Sequence, residues 1–310
     1  MDDAILIEMR EWLVMLGNHS RPEYTRIFRL AVIGSVLCGL ICCTYVPARL
    51  PNVRKRCVLV AMFDLSESVK ESRPRYEQIF FDKVLKPNRK KYDIKIPVNP
   101  DLIDAGDTIY LSEINTSPET DATAWVDETL PDPVLSDYYV DDSEKDLERG
   151  QKNLEEVENI KIRIGDVIKK NLKALHPDGT PLTGIIASTR NAAKIFERKG
   201  GASHKHILLL FTDGVEESKT VNFNQAGGGR PPATSEELNK IIETLKQQDL
   251  LKEGMLTGVD VYVIGATGGR GSGDTSAEFI AIKRFWEEFF KQSGANVIEY
   301  GQNLIKLSLY

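Results

Sequence analysis

The chain has 310 residues, 41% hydrophobic and 28% charged, the composition of a globular protein with room for one large domain or two small ones. A formal net charge of −6 and a pI of about 5.5 argue against nucleic acid as a partner of the chain as a whole. Of the four cysteines, Cys38, Cys42 and Cys43 share one apolar run and Cys57 stands alone at a strand start, so no disulfide framework is implied and no redox compartment is assigned.

Taken in chain order, "AILIEMREWLVML" (4–16) predicts a short amphipathic helix that suits a membrane surface or a packed partner equally. The run "LAVIGSVLCGLICCTYV" (Leu30–Val46) has 17 residues without a charge, the lower limit for a helix that crosses a bilayer. A cleaved secretory signal fits less well, because the 29 residues before the run carry five acidic side chains and no small-residue cleavage site is evident. A buried helix of the folded domain is the remaining alternative. The expectation is a single-pass membrane anchor over 27–46, with an N-terminal tail over 1–26 and a basic linker over 47–56. Arg21, Arg26 and Arg29 flank one side and Arg49, Arg54, Lys55 and Arg56 the other, which is too even to orient the span or to say which side the soluble part faces.

After the linker the pattern alternates. "CVLVAMF" (57–63) is a continuous apolar run, as a strand buried on both faces of a parallel sheet should be. "RYEQIFFDKVL" (75–85) predicts a helix stopped by Pro87, and "DTIYLSEI" (107–114) and "ATAWVDETL" (122–130) predict two strands. Between Asn115 and Asp146 lie ten acidic residues against Lys145 alone, a solvated insertion by composition. From Leu154, Val157, Ile160, Ile164, Val167 and Leu175 keep helical steps. The stretch 181–200 predicts a helix with Pro181 in its first turn and Gly200 after its end. "HILLLF" (206–211) is a second buried strand, 234–254 a helix opened by a Ser–Glu capping pattern and closed by Gly254, and "VDVYVIG" (259–265) a strand. A helix over 276–294 sets Phe279, Ile282, Trp286 and Phe289 on one face, and "NVIEY" (296–300) is the last strand before a tail over 302–310. The alternation predicts one α/β domain over 57–301, a doubly wound and mostly parallel sheet flanked by helices, preceded by the transmembrane helix.

In open α/β sheets the working site lies beyond the carboxyl ends of the strands. The strand ending at Phe63 delivers Asp64, Ser66 and Ser68; the strand ending at Phe211 delivers Thr212, Asp213 and Gly214; the loop "DGTPLT" offers Asp178, Thr180 and Thr183. Carboxylates and hydroxyls without His or Cys suit a hard divalent cation, Mg²⁺, Mn²⁺ or Ca²⁺. Neutral hydroxyl donors leave such an ion electrophilic and short of a ligand, so an outside carboxylate can complete its shell.

Asp64-x-Ser66-x-Ser68 after an apolar strand, Thr180 in "DGTPLTG" and Asp213 in "LLLFTDG" resemble, in that order, the metal-ion-dependent adhesion site of von Willebrand factor type A domains. The resemblance extends over residues 57 to about 301 and implies a Rossmann-like fold whose third strand is an antiparallel edge. It further implies that Ser66, Ser68 and Thr180 supply hydroxyl ligands directly or through water, with Asp64 and Asp213 acting mostly through water or as acceptors behind the ligands. Asp178 stands where many members have glycine, and Asp178 and Thr183 read as turn or cap residues. The implied function is binding rather than catalysis: a membrane-anchored domain that engages a protein partner presenting Asp or Glu.

Two other classes compete. One is a metal-dependent hydrolase or phosphotransferase; Asp64 resembles the haloacid-dehalogenase nucleophile, but Ser66 replaces the second aspartate that serves there as general acid/base. The other is a structural subunit of a membrane complex with a vestigial metal site. "VYVIGATGGRGSGD" (261–274) approaches a dinucleotide fingerprint, yet it closes the chain instead of opening a domain, and Glu299 lies beyond the usual spacing of the acidic partner. His204 and His206 lack a third ligand, and His176 suits a helix end.

Overall fold

The strand β1 (Cys57–Phe63) is buried along all seven residues, the consequence of an unbroken apolar run that must be covered on both faces. The computed structural model describes residues 56–86, 103–115, 124–131, 144–174, 183–201, 204–224, 227–267, 276–304 and 307, all within the compact unit Arg54–Tyr310. The predicted anchor over 27–46, the helix over 4–16, most of the linker and the loop containing Asp178 and Thr180 lie outside the described residues. Among the described residues no helix is long and apolar enough to cross a membrane.

The remaining strands are β2 (Thr108–Glu113), β3 (Val126–Thr129), β4 (Lys205–Phe211), β5 (Val259–Ile264) and β6 (Asn296–Gly301). They form one sheet in the order β3-β2-β1-β4-β5-β6, parallel throughout except for the β2–β3 pair. β1 and β4 are the central pair, in register from Cys57 opposite Lys205 to Phe63 opposite Phe211. The chain leaves β1 to one side of the sheet and returns to the other at β4. The carboxyl ends of these two strands are therefore the switch point where α/β sheets open a crevice.

Alternate side chains of the central strands divide into two cores. Val58, Val60, Met62, Leu208 and Leu210 face helices α3 (Ile185–Lys199), α4 (Ser235–Gln247) and α5 (Ala277–Gln292). Leu59, Ala61, Phe63, Leu209 and Phe211 face α1 (Arg73–Phe80), the π-helical turn Phe81–Leu85 after it, and α2 (Glu144–Lys173). Phe63 stacks on Phe211 at 4.6 Å between ring centres, joining β1 to β4 through their last residues. Leu304 and Leu307 add to the second core from beyond β6.

Several helix boundaries differ from the sequence expectation. α2 begins at Glu144, ten residues ahead of Leu154, and absorbs the end of the acidic stretch. Within that stretch Asp127 pairs with Lys199 at 2.5 Å and Glu128 with Arg163 at 2.7 Å, so two of its charges tie β3 to flanking helices. α3 starts at Ile185 after Gly184, four residues beyond Pro181. α4 is capped by Thr234, whose hydroxyl accepts from Glu237 N at 3.2 Å, while Ser235 is its first helical residue. It ends at Gln247, well before Gly254, because Asp249 turns left-handed (φ 57°) and Leu250 N returns to Leu245 O at 2.8 Å, carrying Leu251 into the core.

Gly265, just past β5, has φ +95°, and a Cβ there would lie 2.2 Å from the Tyr76 hydroxyl and 2.5 Å from its ring. Tyr76 is fully buried and has no room to retreat. Gly265→Ala is expected to cost about 2–4 kcal/mol in urea denaturation, since backbone strain and overpacking each cost roughly 1–3 kcal/mol. Tyr76→Phe in the same chain should recover part of the loss, because the nearest clashing atom is the hydroxyl. An unchanged midpoint in Gly265→Ala would contradict this packing.

Candidate metal centre

The sheet ladder continues one residue past both central strands. Asp64 N donates to Phe211 O at 2.8 Å, and Thr212 N donates to Ile264 O at 2.9 Å. Asp64 and Thr212 thus leave the sheet side by side with their backbones still fixed. Asp64 Oδ1 accepts from Ser66 N at 2.8 Å, the local turn that aspartate favours. Its Oδ2 accepts from the Thr212 hydroxyl at 2.8 Å, and the Thr183 hydroxyl lies 3.3 Å from both oxygens.

Ser66 precedes a 3₁₀ turn, Glu67–Ser72, where a serine side chain often acts as a cap. Its side chain makes no cap bond. The Ser66 hydroxyl instead lies 2.9 Å from the Ser68 hydroxyl. Ser66 is buried and Ser68 exposed, so the pair runs from the interior to the surface. Arg73, itself buried, holds the loop from behind by donating through Nη2 to Leu65 O and, at 3.2 Å, to Ser66 O.

Asp213 is 3% exposed and Asp64 is 1% exposed, too little for water alone to stabilise two carboxylates. Asp213 Oδ1 accepts from Val215 N at 3.0 Å; Oδ2 makes no well-formed hydrogen bond, and the Ser68 side chain favours the ionised carboxyl. Burial pushes the Asp213 carboxyl up to about 7, and the charge of Asp64 adds to the rise. Burial likewise raises Asp64, against the four hydrogen bonds from Ser66, Thr212 and Thr183 that favour its ionised form. None of the main influences on either group is a cation. The same negative charge, after burial, raises the phenols of Tyr76 and Tyr300 from opposite faces of the sheet.

This donor set fits a hard divalent ion. Among the described residues no three His, Cys, Asp or Glu side chains are grouped so as to hold a metal ion, so such a site here would need the hydroxyls as donors. Neighbouring ligands in an octahedral Mg²⁺ shell stand about 2.9 Å apart. The two serine hydroxyls, hydrogen-bonded to each other at 2.9 Å, could take neighbouring places in such a shell without moving apart. Asp213 Oδ2 and the two carboxyls raised by burial are groups that a bound cation would stabilise.

Of the sequence-predicted ligands, Asp64, Ser66, Ser68 and Asp213 are brought to the carboxyl ends of the adjacent strands β1 and β4. Thr180 and Asp178 lie outside the described residues. Thr183, which the sequence presents as a turn or cap residue, hydrogen-bonds Asp64 directly. Thr212 gives both a hydroxyl to Asp64 and an acceptor to Gly214 N at 3.1 Å. Its place next to Asp213 after an apolar strand was the available signal. Arg73 and Glu216 carried no signal, because their partners are backbone groups of other loops.

No protein-family model matches the chain, and no curated protein does. Among solved structures it is similar to the adhesive tip pilin GBS104 from Group B Streptococcus agalactiae, at 14% identity and a TM-score of 0.26 over 55% of this chain and 49% of the pilin. It is also similar to the human COPII-coat protein Sec24c, at 9% identity and a TM-score of 0.33 over 81% of this chain and 31% of that one. The chain spans about half the length of the first and under a third of the second. The fold accordingly stands on its own strand order and register.

Proposed function

We propose that the protein is a membrane-anchored domain of the von Willebrand factor type A kind that binds a protein partner through a divalent metal ion. The observation that carries the reading is the juxtaposition of two buried carboxylates, Asp64 and Asp213, with the Ser66–Ser68 hydroxyl pair at the switch point of the sheet. Ser66, Ser68, Asp64 and Asp213 would hold the ion together with Thr180. The ion would be Mg²⁺, Mn²⁺ or Ca²⁺, and when bound it offers an electrophilic position to an Asp or Glu of the partner. Ser68 is exposed, which would leave an ion held there open to such a carboxylate. The anchor over 27–46 belongs to the proposal on its sequence alone.

The test is an affinity capture from membrane extracts with the full-length chain, in Mg²⁺ and in EDTA. Partners retained in Mg²⁺ and released by EDTA are the expected result. The same partners held equally in both would remove the metal from the mechanism, and turnover of a phosphate or ester substrate would favour the hydrolase class.

A further inference from the structure

Helix α3 begins without a cap of its own: Gly184 precedes it and offers no side chain, leaving the first amides of the helix to find acceptors elsewhere. They find one across the fold. Glu216 Oε2 accepts from Ile185 N at 2.7 Å and from Ile186 N at 3.1 Å. Glu216 is fully buried and sits three residues after Asp213 on the loop that follows β4. The next residue repeats the tie, with Glu217 N donating to Thr183 O at 2.8 Å. One loop therefore carries Asp213 and grips the segment that carries Thr183, whose hydroxyl reaches Asp64.

We propose that Glu216 is a positioning residue of the metal centre. It caps α3 from another loop and thereby fixes the distance between the Asp213 side and the Thr183 side of the site. The inference rests on the metal-binding reading and adds to it a residue that touches neither the ion nor the partner. A buried carboxyl is costly to keep, and this one is held against that cost by two amides of one helix terminus. Without it, Ile185 N and Ile186 N lose their acceptor in a buried place, and the segment 183–186 loses a pair of hydrogen bonds that define where α3 starts. Supporting residues of this sort change metal affinity by about 10- to 100-fold without coordinating the metal.

The experiment measures Mn²⁺ affinity of the full-length chain by calorimetry for wild type, Glu216→Gln, Glu216→Asp and Glu216→Ala. A single amide oxygen accepts both N–H groups, so Glu216→Gln is expected to stay within about 3-fold of wild type. Glu216→Asp keeps the carboxyl group but withdraws the oxygens by one methylene, and with Glu216→Ala it is expected to weaken binding by about 10-fold or more. Leu245→Ala, in the core under α4, lowers stability without touching either loop and should leave the affinity of the folded protein unchanged. Wild-type affinity in Glu216→Asp overturns the proposal, as does a Glu216→Gln as weak as Glu216→Asp. No Mn²⁺ binding by wild type would overturn the metal reading itself, and this proposal with it.

Discussion

Asp64→Asn in the full-length protein is expected to lower Mn²⁺ affinity by about 10- to 100-fold while the metal-free variant melts no lower than wild type. The two halves of this result have separate causes. The loss of affinity follows from removing one of two buried negative charges that face the site. The retained melting point follows from shape: asparagine keeps an oxygen to accept from Ser66 N, and its NH2, in the place of Oδ2, donates to the Thr212 hydroxyl, which rotates to accept. Asparagine also removes the repulsion between Asp64 and Asp213 that raises the Asp213 carboxyl. A charge that destabilises the empty fold and is kept for binding should show this opposition. Thermal melts in EDTA and calorimetric titration measure the two terms. A variant that melts well below wild type and binds Mn²⁺ normally would make Asp64 a structural turn residue and sink the metal centre.

The second large effect is on the pH dependence of the metal-free protein. Burial raises the Asp213 carboxyl from 3.8 to about 7 and that of Glu216 from 4.5 to about 8. A group whose pKa is raised on folding binds its proton more tightly in the native state. Its contribution to stability is complete below its unfolded value and is lost as pH rises through its folded value. In EDTA, stability is therefore expected to fall from pH 6.5 to 8.5, by roughly 2–3 kcal/mol at about 1.4 kcal/mol per unit for each group while the native state still holds its proton. His206 is lowered by burial and by His204, so its own penalty falls below pH 6.5, while the raised Asp64 carboxyl acts in the same direction as Asp213 and Glu216. Saturating Mg²⁺ should shrink the fall, because the ion favours the ionised form of Asp213 as a proton does the neutral one. Glu216→Gln should remove its share in EDTA. Urea denaturation at intervals across the window reads all three, and a stability that is flat or rises with pH in EDTA would refute the assignment.

The candidate site was legible in part for a definite reason. Asp64, Ser66 and Ser68 are close in sequence, so their spacing after an apolar strand already fixes them on one short loop. Asp213 follows a second apolar strand, and two such strands buried on both faces have few places to be except the middle of a sheet. The partners from other loops were not legible. Thr183 looked like a turn residue because its function lies 119 positions away in Asp64. The start of α3 was misplaced at Pro181 because local sequence offers a proline where a helix often begins, while the actual cap, Glu216, comes from beyond the next strand. The end of α4 was misplaced at Gly254 because burial of Leu251, and not glycine, turns the chain back.

By itself the sequence determined the class of fold, the order of strands and helices, and the oxygen-only chemistry of one loop, since each depends on periodicity or on residues a few positions apart. Only the tertiary structure decided that β1 and β4 are neighbours in register and that the Ser66 hydroxyl serves Ser68 instead of a helix end. It alone left Asp213 Oδ2 without a well-formed hydrogen bond and joined two loops through Glu216. Those facts depend on which distant groups burial forces together, and hydrogen bonds between distant segments leave no period in the sequence.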